Sequence, residues 1–262
     1  MKKYWTIFKL ELQKDMQYRF NFLISILSNA IILIFFFYFW IRIYSEGNRL
    51  GSYDLKTLLT YYLFSIILAQ VLFRETAWVV SEEISEGGMN TFLLKPLSYI
   101  TNHIMKYLGS FMAAIAHYAP FVILAAFFLR KQFIYPLSFI QWIFFIMSFS
   151  LAASFYFLIF YCMGLASFWV ERIWGLSYGF MVFSNFMAGR LLPIDLFPLW
   201  FIKVSDCLPF KYMLYEPISI FLNKIPFNWQ SLFIPLGWVV ILGFVSHIVW
   251  KRGVRVYEAY GA

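Results

Sequence analysis

Long uncharged stretches are the feature of this sequence that most restricts its fold. Six segments carry no Asp, Glu, Lys or Arg, and they cover the ranges 20–41, 57–73, 107–129, 132–170, 173–189 and 225–250. A helix needs about 20 residues to cross the hydrocarbon core of a bilayer, and these segments reach or approach that length. The chain is therefore predicted to be an all-α integral membrane protein made of packed helices.

Composition argues against the main soluble alternatives. Of the 262 residues, 62% are hydrophobic and 13% are charged, whereas roughly 25% of an ordinary soluble domain is charged. A soluble enzyme, a nucleic-acid-binding domain and a disordered chain would each need more polar surface. The net charge of +8 is accordingly assigned to basic tails that meet anionic lipid headgroups, and no nucleic-acid partner is expected.

The charge pattern also predicts a topology. Because the stretch 132–170 holds no turn signal after Pro136, we interpret it as one long helix with a cytoplasmic extension. Both termini then lie on one side of the membrane. The two tails carry more basic than acidic residues, which places them in the cytoplasm. The six predicted spans are about 20–41, 57–78, 106–129, 139–165, 173–189 and 231–250.

The N-terminal segment, residues 1–19, is too charged to span a membrane. Its apolar side chains recur at helical spacing, whereas Lys2, Lys9 and Lys14 occupy other faces. This pattern is typical of an amphipathic helix that lies in the membrane interface; the alternative is a frayed basic tail. The apolar stripe consists of Trp5, Phe8, Leu12 and Met16.

The segment 74–105 is predicted to form a compact cytoplasmic projection. Glu82 and Glu86 are one helical turn apart and share a face. Gly87-Gly88 is a natural helix stop, and Pro96 restricts the restart of the chain. A metal or acid–base site is the alternative for these carboxylates. No histidine is interleaved with them, however, and Glu82 and Glu83 project from different faces of a helix.

The segment 190–224 is apolar but interrupted by prolines and charges. Such sequence fits short re-entrant helices that dip into the outer leaflet, although an ordered external loop is the alternative. The polar residues at membrane depth either hold helices together or line a translocation path. The possible path residues are Tyr61, Ser65, Gln70, Ser177, Ser184 and Asn185.

Several short motifs, in their order along the chain, resemble those of one family. They are Ser85-Glu86-Gly87-Gly88, Leu93-Leu94-Lys95-Pro96-Leu97, Gly164 to Gly175, Gly189-Arg190-Leu191-Leu192-Pro193, Tyr215-Glu216-Pro217 and the terminal Trp250 to Gly261. Together they resemble the permease subunit of bacterial ABC-type-2 exporters, in the six-span subfamily whose ATPase is a separate chain.

The resemblance implies roles for these segments. Residues 1–19 would be an elbow helix, and Val79–Gly88 a coupling helix that docks on the ATPase. The path would lie between two permeases, identical or homologous, lined by the spans Thr57–Phe73 and Ile173–Gly189. Two ABC ATPase subunits would bind ATP and Mg²⁺, so that this chain holds no cofactor or metal and is not an enzyme. The expected ATPase-coupling residues are Glu82, Glu83, Ile84, Ser85, Glu86, Gly87 and Gly88.

The family also implies a location in the bacterial cytoplasmic (inner) membrane and an amphipathic, lipid-like, drug or peptide substrate. Two other functions stay open at this point. A membrane-embedded lipid-modifying enzyme would need a polar site, for example His103 with Glu82 or Glu86. A non-transporting assembly subunit would lose complex integrity, but not substrate flux, when its intramembrane polar residues are changed.

Overall fold

The computed structural model describes residues 2–17, 19–47, 50–128, 133–136, 138–170, 173–225 and 229–257. Within these ranges the secondary structure is helical, without a β-strand, as the sequence predicts. The α-helices are α1 (Lys2–Gln17), α2 (Arg19–Ser45), α3 (Leu55–Leu72), α4 (Thr76–Ser85), α5 (Gly88–Leu93), α6 (Tyr99–Phe128), α7 (Phe139–Leu165), α8 (Trp174–Met187), α9 (Leu199–Cys207), α10 (Tyr215–Phe221) and α11 (Gln230–Val256).

Five stretches of the described chain are long and apolar enough to cross a membrane. They are Leu23–Ser45, Leu55–Ser85, Tyr99–Phe127, Phe139–Phe168 and Ser231–Val256. The second stretch combines α3 and α4. The stretch 132–170 contributes one long helix, α7, with a short 3₁₀ turn after it.

The predicted fifth span, 173–189, is shorter than expected. It corresponds to α8, which has 14 residues and is therefore about 21 Å long at 1.5 Å per residue. The hydrocarbon core of a bilayer is about 30 Å thick. Gly189, with φ of 80°, follows the end of α8. The helix therefore does not span by itself, and a sixth crossing stays a prediction.

Local sequence explains where two of the core helices begin. At the start of α3, the Asp54 carboxylate accepts a hydrogen bond from the backbone N–H of Thr57 at 3.0 Å. At the start of α7, the Ser138 hydroxyl accepts one from the backbone N–H of Gln141 at 3.2 Å. Each side chain satisfies one of the N–H groups that a helix leaves without an internal partner.

The core lies along α3 and α7. In the apolar window of each span, the share of buried residues is 78% for α3–α4 and 56% for α7. The corresponding shares are 11% for α2 and 17% for α11. Large aromatic side chains fill the centre, namely Tyr61, Tyr62, Phe155, Tyr156 and Tyr161. Helices α2, α6 and α11 surround this pair and leave apolar faces exposed, as lipid-facing helices do.

Candidate functional site

We use the name acidic knob for residues 76–97, which contain α4, α5 and the turn before α6. Helix α4 buries one face, formed by Ala77, Val80, Ser81 and Ile84. Helix α4 ends at Ser85, and Gly87 adopts a left-handed conformation with φ of 79°. The helix therefore begins and ends three residues earlier than the predicted Val79–Gly88.

The buried face of α4 fits closely against α7. A Cβ atom at Gly164 would lie 2.6 Å from the Cβ of Val80 and 2.9 Å from the carbonyl oxygen of Ala77. Only a glycine allows this approach, because any side chain would displace α4. The hydroxyl of Ser167 also donates a hydrogen bond of 2.6 Å to that of Ser81. Helix α4 is therefore firmly seated on the core.

The opposite face of α4 carries charge into the surroundings. Glu82 and Glu86 are exposed, one turn apart, and neither makes an ion pair with another described residue. Leu94, just beyond α5, is 88% exposed. Ile84, which the sequence placed among the coupling residues, is buried instead. The knob thus exposes two acidic side chains as well as apolar ones.

Glu83 points away from the exposed face and lies against α6. Its Oε1 accepts a hydrogen bond from Lys106 Nζ at 2.6 Å. Its Oε2 lies 3.0 Å from the Tyr99 hydroxyl and 3.1 Å from His103 Nε2. Three side chains of α6 therefore contact this carboxylate. The sequence groups Glu83 with Glu82 and Glu86, but the structure separates it from them.

This cluster also bears on the enzyme alternative. His103 is 2% exposed and contacts Glu83, whereas Glu82 and Glu86 project from the other face of α4. The suggested pairing of His103 with Glu82 or Glu86 is therefore wrong. Tyr99, His103 and Lys106 are spaced as residues on one face of a helix, a signal that the sequence analysis did not use. Nothing in the sequence indicated that Glu83 lies opposite them.

The elbow segment is helical, and it packs along α6. Phe8 and Leu12 are half-buried, whereas Trp5 and Met16 remain exposed beside them. Polar contacts fix the two helices. The Tyr4 hydroxyl accepts a hydrogen bond from the Ser98 N–H at 2.9 Å, and Ser110 donates one to the Asp15 carboxylate. The predicted apolar stripe is therefore partly covered by the protein and partly exposed.

The predicted path residues on α3 are turned into the protein. Tyr61 and Ser65 are fully buried and donate hydrogen bonds to the carbonyl oxygens of Gly189 and Arg190, at 2.6 and 3.2 Å. Gln70 is half-buried and donates to Asn29 Oδ1 at 3.2 Å. These contacts join α3 to α2 and to the chain after α8, as expected of polar groups that hold helices together.

The path residues on α8 show the same tendency. Ser177 and Ser184 are fully buried, and Ser184 donates to the carbonyl oxygen of Met181 in its own helix. Asn185 is half-buried and accepts a hydrogen bond from the Tyr156 hydroxyl at 3.2 Å. The outward side of α8 is instead apolar, with Trp174, Tyr178, Val182, Phe183 and Phe186 exposed.

Two glycines lie on the exposed side of α8. Cβ atoms built at Gly175 and Gly179 would meet nothing within 4 Å. Glycines four residues apart on an apolar helix allow a second helix to approach closely. Helix α8 therefore has an open surface at these glycines, which no described residue covers.

We use the name broken segment for residues 188–225, which connect α8 to the loop before α11. Neighbouring helices fix its backbone from several sides. Tyr62 donates to the carbonyl oxygen of Leu191 at 2.6 Å, and Gln141 Nε2 donates to those of Ile220 and Phe221, both at 2.9 Å. The predicted short helices are present as α9 and α10.

A charged cluster closes one edge of the broken segment. Tyr53 donates a hydrogen bond of 2.8 Å to Asp195, and Lys224 Nζ lies 3.7 Å from the same carboxylate. The Lys224 ammonium also lies 3.1 Å from the centre of the Tyr53 ring, a cation–π contact. Partial burial lowers the pKa of Lys224, although Asp195 opposes the shift.

Comparison with protein families decides among the functional classes. The pattern of a family described as ABC-2 family transporter protein matches residues 5–261. The chain belongs to the ABC-2 transporter family. No curated protein and no solved structure matches it. The resemblance drawn from the short motifs is thus confirmed at the level of the family.

Membership of the ABC-2 family settles the general role of the chain. It is a multi-pass membrane protein and a permease component of an ABC transporter. In such a transporter the permease is the membrane part and is not itself the ATPase. The family match covers α1, the acidic knob, α8 and the broken segment, so that all these features belong to one permease.

Proposed function

We propose that this ABC-2 permease belongs to an ATP-driven exporter and that its acidic knob docks onto a separate ATPase subunit. The observation that carries the proposal is the division of α4 into two faces. One face is packed on α7 at Gly164, and the other displays Glu82 and Glu86. A helix fixed on one side and charged on the other can receive force from a partner with a basic surface.

The proposed complex contains two permeases and two ATPases. ATP and Mg²⁺ would be held by the ATPases, and this chain would move in response. The second permease, identical or homologous, would cover the open side of α8. The support for this is the pair Gly175 and Gly179, where a Cβ atom would meet none of the described residues within 4 Å.

The exported substrate is proposed to be amphipathic: a lipid-like molecule, a drug or a peptide. The outward side of α8 is rich in exposed aromatic side chains, such as Trp174, Tyr178 and Phe186. These surfaces suit the apolar part of such a substrate, which would move between two permeases. The buried polar residues Tyr61, Ser65 and Ser184 would support this surface from behind, since their hydroxyl groups already have partners.

The proposed orientation places both termini in the cytoplasm of a bacterium, with the chain in its inner membrane. Helix α1 exposes Lys2, Lys3 and Lys9, as expected of a helix against anionic lipid headgroups. A cytoplasmic N-terminus also places the acidic knob on the side where ATP is available. This orientation requires a sixth crossing, which α8 would complete together with its flanking residues.

Charge reversal on the knob tests the docking proposal. We expect the double variant Glu82→Lys/Glu86→Lys to fold normally and to lose the ATPase, because its exposed face then repels a basic partner. The measurement is the amount of ATPase subunit, recognised by its nucleotide-binding loop, that co-purifies with the tagged permease from native membranes. A loss of at least tenfold is expected.

The matched control is Glu46→Lys/Asp206→Lys, which makes the same change of charge away from the knob. The side chains of Glu46 and Asp206 are 54% and 53% exposed. This variant should retain the ATPase at the level of the unmodified chain. Equal recovery of the ATPase with both double variants would refute the docking proposal.

A second experiment tests the proposed permease interface. Gly179→Leu should block close contact at α8 and reduce the yield of permease pairs, measured by the mass of the complex in lipid nanodiscs. Gly243→Leu is the control, because a Cβ there also meets nothing within 4 Å but lies on α11. If both variants form pairs equally well, α8 is not the interface.

A further inference from the structure

The Glu83 carboxylate connects two helices, α4 and α6, that α5 separates along the chain. It comes from α4, and its partners Tyr99, His103 and Lys106 follow one face of α6. We use the name carboxylate clamp for these four residues. Both oxygens of the carboxylate are engaged, so that its position and rotation are fixed by the clamp.

The α6 side of the clamp continues into the rest of the molecule. The ring of Tyr99 stacks on that of Trp250 in α11, with centroids 4.4 Å apart and planes 12° apart. The His103 ring lies 5.8 Å from that of Tyr161 in α7. Tyr99, His103 and Tyr161 are each at most 3% exposed. A displacement of the clamp would therefore be transmitted directly to packed aromatic side chains.

The two attachments of α4 differ in kind. Against α7 the contact is mainly steric and apolar, at Val80 and Gly164, with one hydrogen bond to Ser81 from Ser167, which follows α7. Against α6 the contact is ionic and directional, through Glu83. The side chains of Glu83 and Lys106 are 24% and 30% exposed, which leaves this ion pair at the edge of the core. Steric contact resists compression, and the single bond between Ser167 and Ser81 resists separation less than an ion pair with two further polar contacts does.

We propose that the carboxylate clamp couples α6 to the acidic knob, with Glu83 as the positioning residue that makes the two elements move together. This rests on the proposed docking of the knob to an ATPase. Movement received at Glu82 and Glu86 would pass through Glu83 into α6, and through Tyr99 to Trp250 and α11. Glu83 would thus contribute to force transmission and not to ATPase binding.

The test measures distances between spin labels in the complete complex, so that no substrate needs to be known. Cys162 and Cys207 are first replaced by Ser. One label pair, Thr91→Cys with Met112→Cys, reports the separation of the knob from α6. A second pair, Met112→Cys with Ile31→Cys, reports the movement of α6 relative to α2. All three label sites are exposed.

In the unmodified background, ATP with vanadate should leave the first distance constant and shift the second, because knob and α6 move as one unit. In Glu83→Gln the first distance should change or broaden, and the nucleotide-dependent shift of the second should be lost. ATPase binding and hydrolysis should continue in this variant. If Glu83 had a purely structural role, Glu83→Gln would lower stability, but the second distance would still shift when ATP is hydrolysed.

Two further variants complete the design. Glu46→Gln removes an exposed carboxylate that pairs with Arg42 at 3.1 Å at the end of α2, and it should behave as the unmodified chain. Lys106→Gln removes the 2.6 Å contact but leaves those from Tyr99 and His103. It should produce a smaller loss in the same direction, and it replaces Glu83→Gln if that variant does not fold.

The outcomes separate the clamp from the docking proposal. The clamp would be overturned if the second distance shifted fully in Glu83→Gln. It would also be overturned if the second distance did not shift in the unmodified complex with bound ATPase. Failure of the unmodified chain to bind an ATPase would instead refute the docking proposal. In that case the nucleotide-free chain decides: the first distance should broaden in Glu83→Gln, and an unchanged width would overturn the clamp.

Discussion

The acidic knob and the broken segment both contain short helices, but they differ in how much of the helix surface is buried. In the knob, α4 buries one face and leaves Glu82 and Glu86 exposed. In the broken segment, α10 buries nearly all of its residues, including Glu216. The knob thus leaves a charged side open, whereas α10 is covered by its own chain. This difference supports the proposed docking of an ATPase at the knob.

The two regions should accordingly respond differently to substitution. Changes in the seat of the knob should affect both stability and ATPase binding. Changes in the broken segment should affect stability and leave ATPase binding intact. The predictions below use this distinction, and each combines thermal unfolding in lipid nanodiscs with the co-purification measurement described above.

The largest effect is expected at the contact between α4 and α7. Gly164→Leu should lower stability by about 3 kcal/mol, the upper part of the usual range for overpacking. The reason is that even a Cβ atom would lie 2.6 Å from that of Val80. ATPase co-purification should fall as well, because α4 is displaced.

Gly243→Leu is again the control, since the space around Gly243 is open. Its unfolding temperature and its bound ATPase should match those of the unmodified chain. Normal stability of Gly164→Leu would show that the knob is not seated on α7 as the structure describes.

The next effect concerns the buried carboxylate of the broken segment. Burial raises the pKa of Glu216 to about 7 from an ordinary value of 4.5, with Lys211 opposing and Asp206 adding to the shift. The folded state therefore holds the proton more tightly than the unfolded state. The resulting stabilisation is complete below pH 4.5 and is lost as the pH rises to about 7.

Glu216→Gln should remove this pH dependence. At pH 8 the variant should be more stable than the unmodified chain by about 3 kcal/mol, from a rise of about 2.5 pKa units at 1.36 kcal/mol per unit. At pH 4.5 the two proteins should unfold at similar temperatures. Glu46→Gln, at an exposed carboxylate, should keep the original pH profile. Parallel pH profiles for Glu216→Gln and the unmodified chain would contradict the burial of this group.

A moderate effect is expected where α7 fixes the end of α10. Gln141→Leu leaves the carbonyl oxygens of Ile220 and Phe221 without their side-chain donor. Leaving buried polar groups unsatisfied should cost about 2 kcal/mol. Ser150→Ala is the control on α7, because Ser150 is exposed and donates only to its own helix. A lower ATPase yield for Gln141→Leu would break the distinction between the two regions.

The smallest effect is expected at the edge of the broken segment. Tyr53→Phe removes the hydrogen bond to Asp195 but keeps the ring on which Lys224 lies. The expected loss is about 1 kcal/mol, the usual net value of one hydrogen bond. Tyr38→Phe, at a residue 72% exposed on α2, should have no effect. Equal unfolding temperatures for both variants would remove the bond to Asp195 from the contacts that fix this segment.

The sequence predicted much of the architecture because the signals were local. Uncharged length predicted the five long apolar helices, and Gly87 predicted the end of a short helix near residue 86. The helical stripe of the elbow and the prolines of the broken segment were equally readable. Each signal depends on neighbours within a few residues, so that it survives without knowledge of the fold.

The candidate site was predicted only in part. The exposed position of Glu82 and Glu86 agrees with the expected docking face, but Glu83 is turned to α6. The partners of Glu83 lie 16 to 23 residues away in the chain. Tyr61, Tyr62 and Ser65 of α3 bond to backbone oxygens more than 100 residues away. No periodicity reports such contacts, because they depend on how two remote helices cross.

By itself, the sequence determined that this chain forms apolar helices of membrane length, since hydrophobic length is a property of continuous sequence. It also determined where glycine and proline interrupt them. Only the tertiary structure decided which carboxylates remain exposed, that α8 is too short to span alone, and that buried hydroxyl groups face inward. Those outcomes depend on helix crossings, and a crossing is fixed by the shapes of two surfaces that lie far apart in the chain.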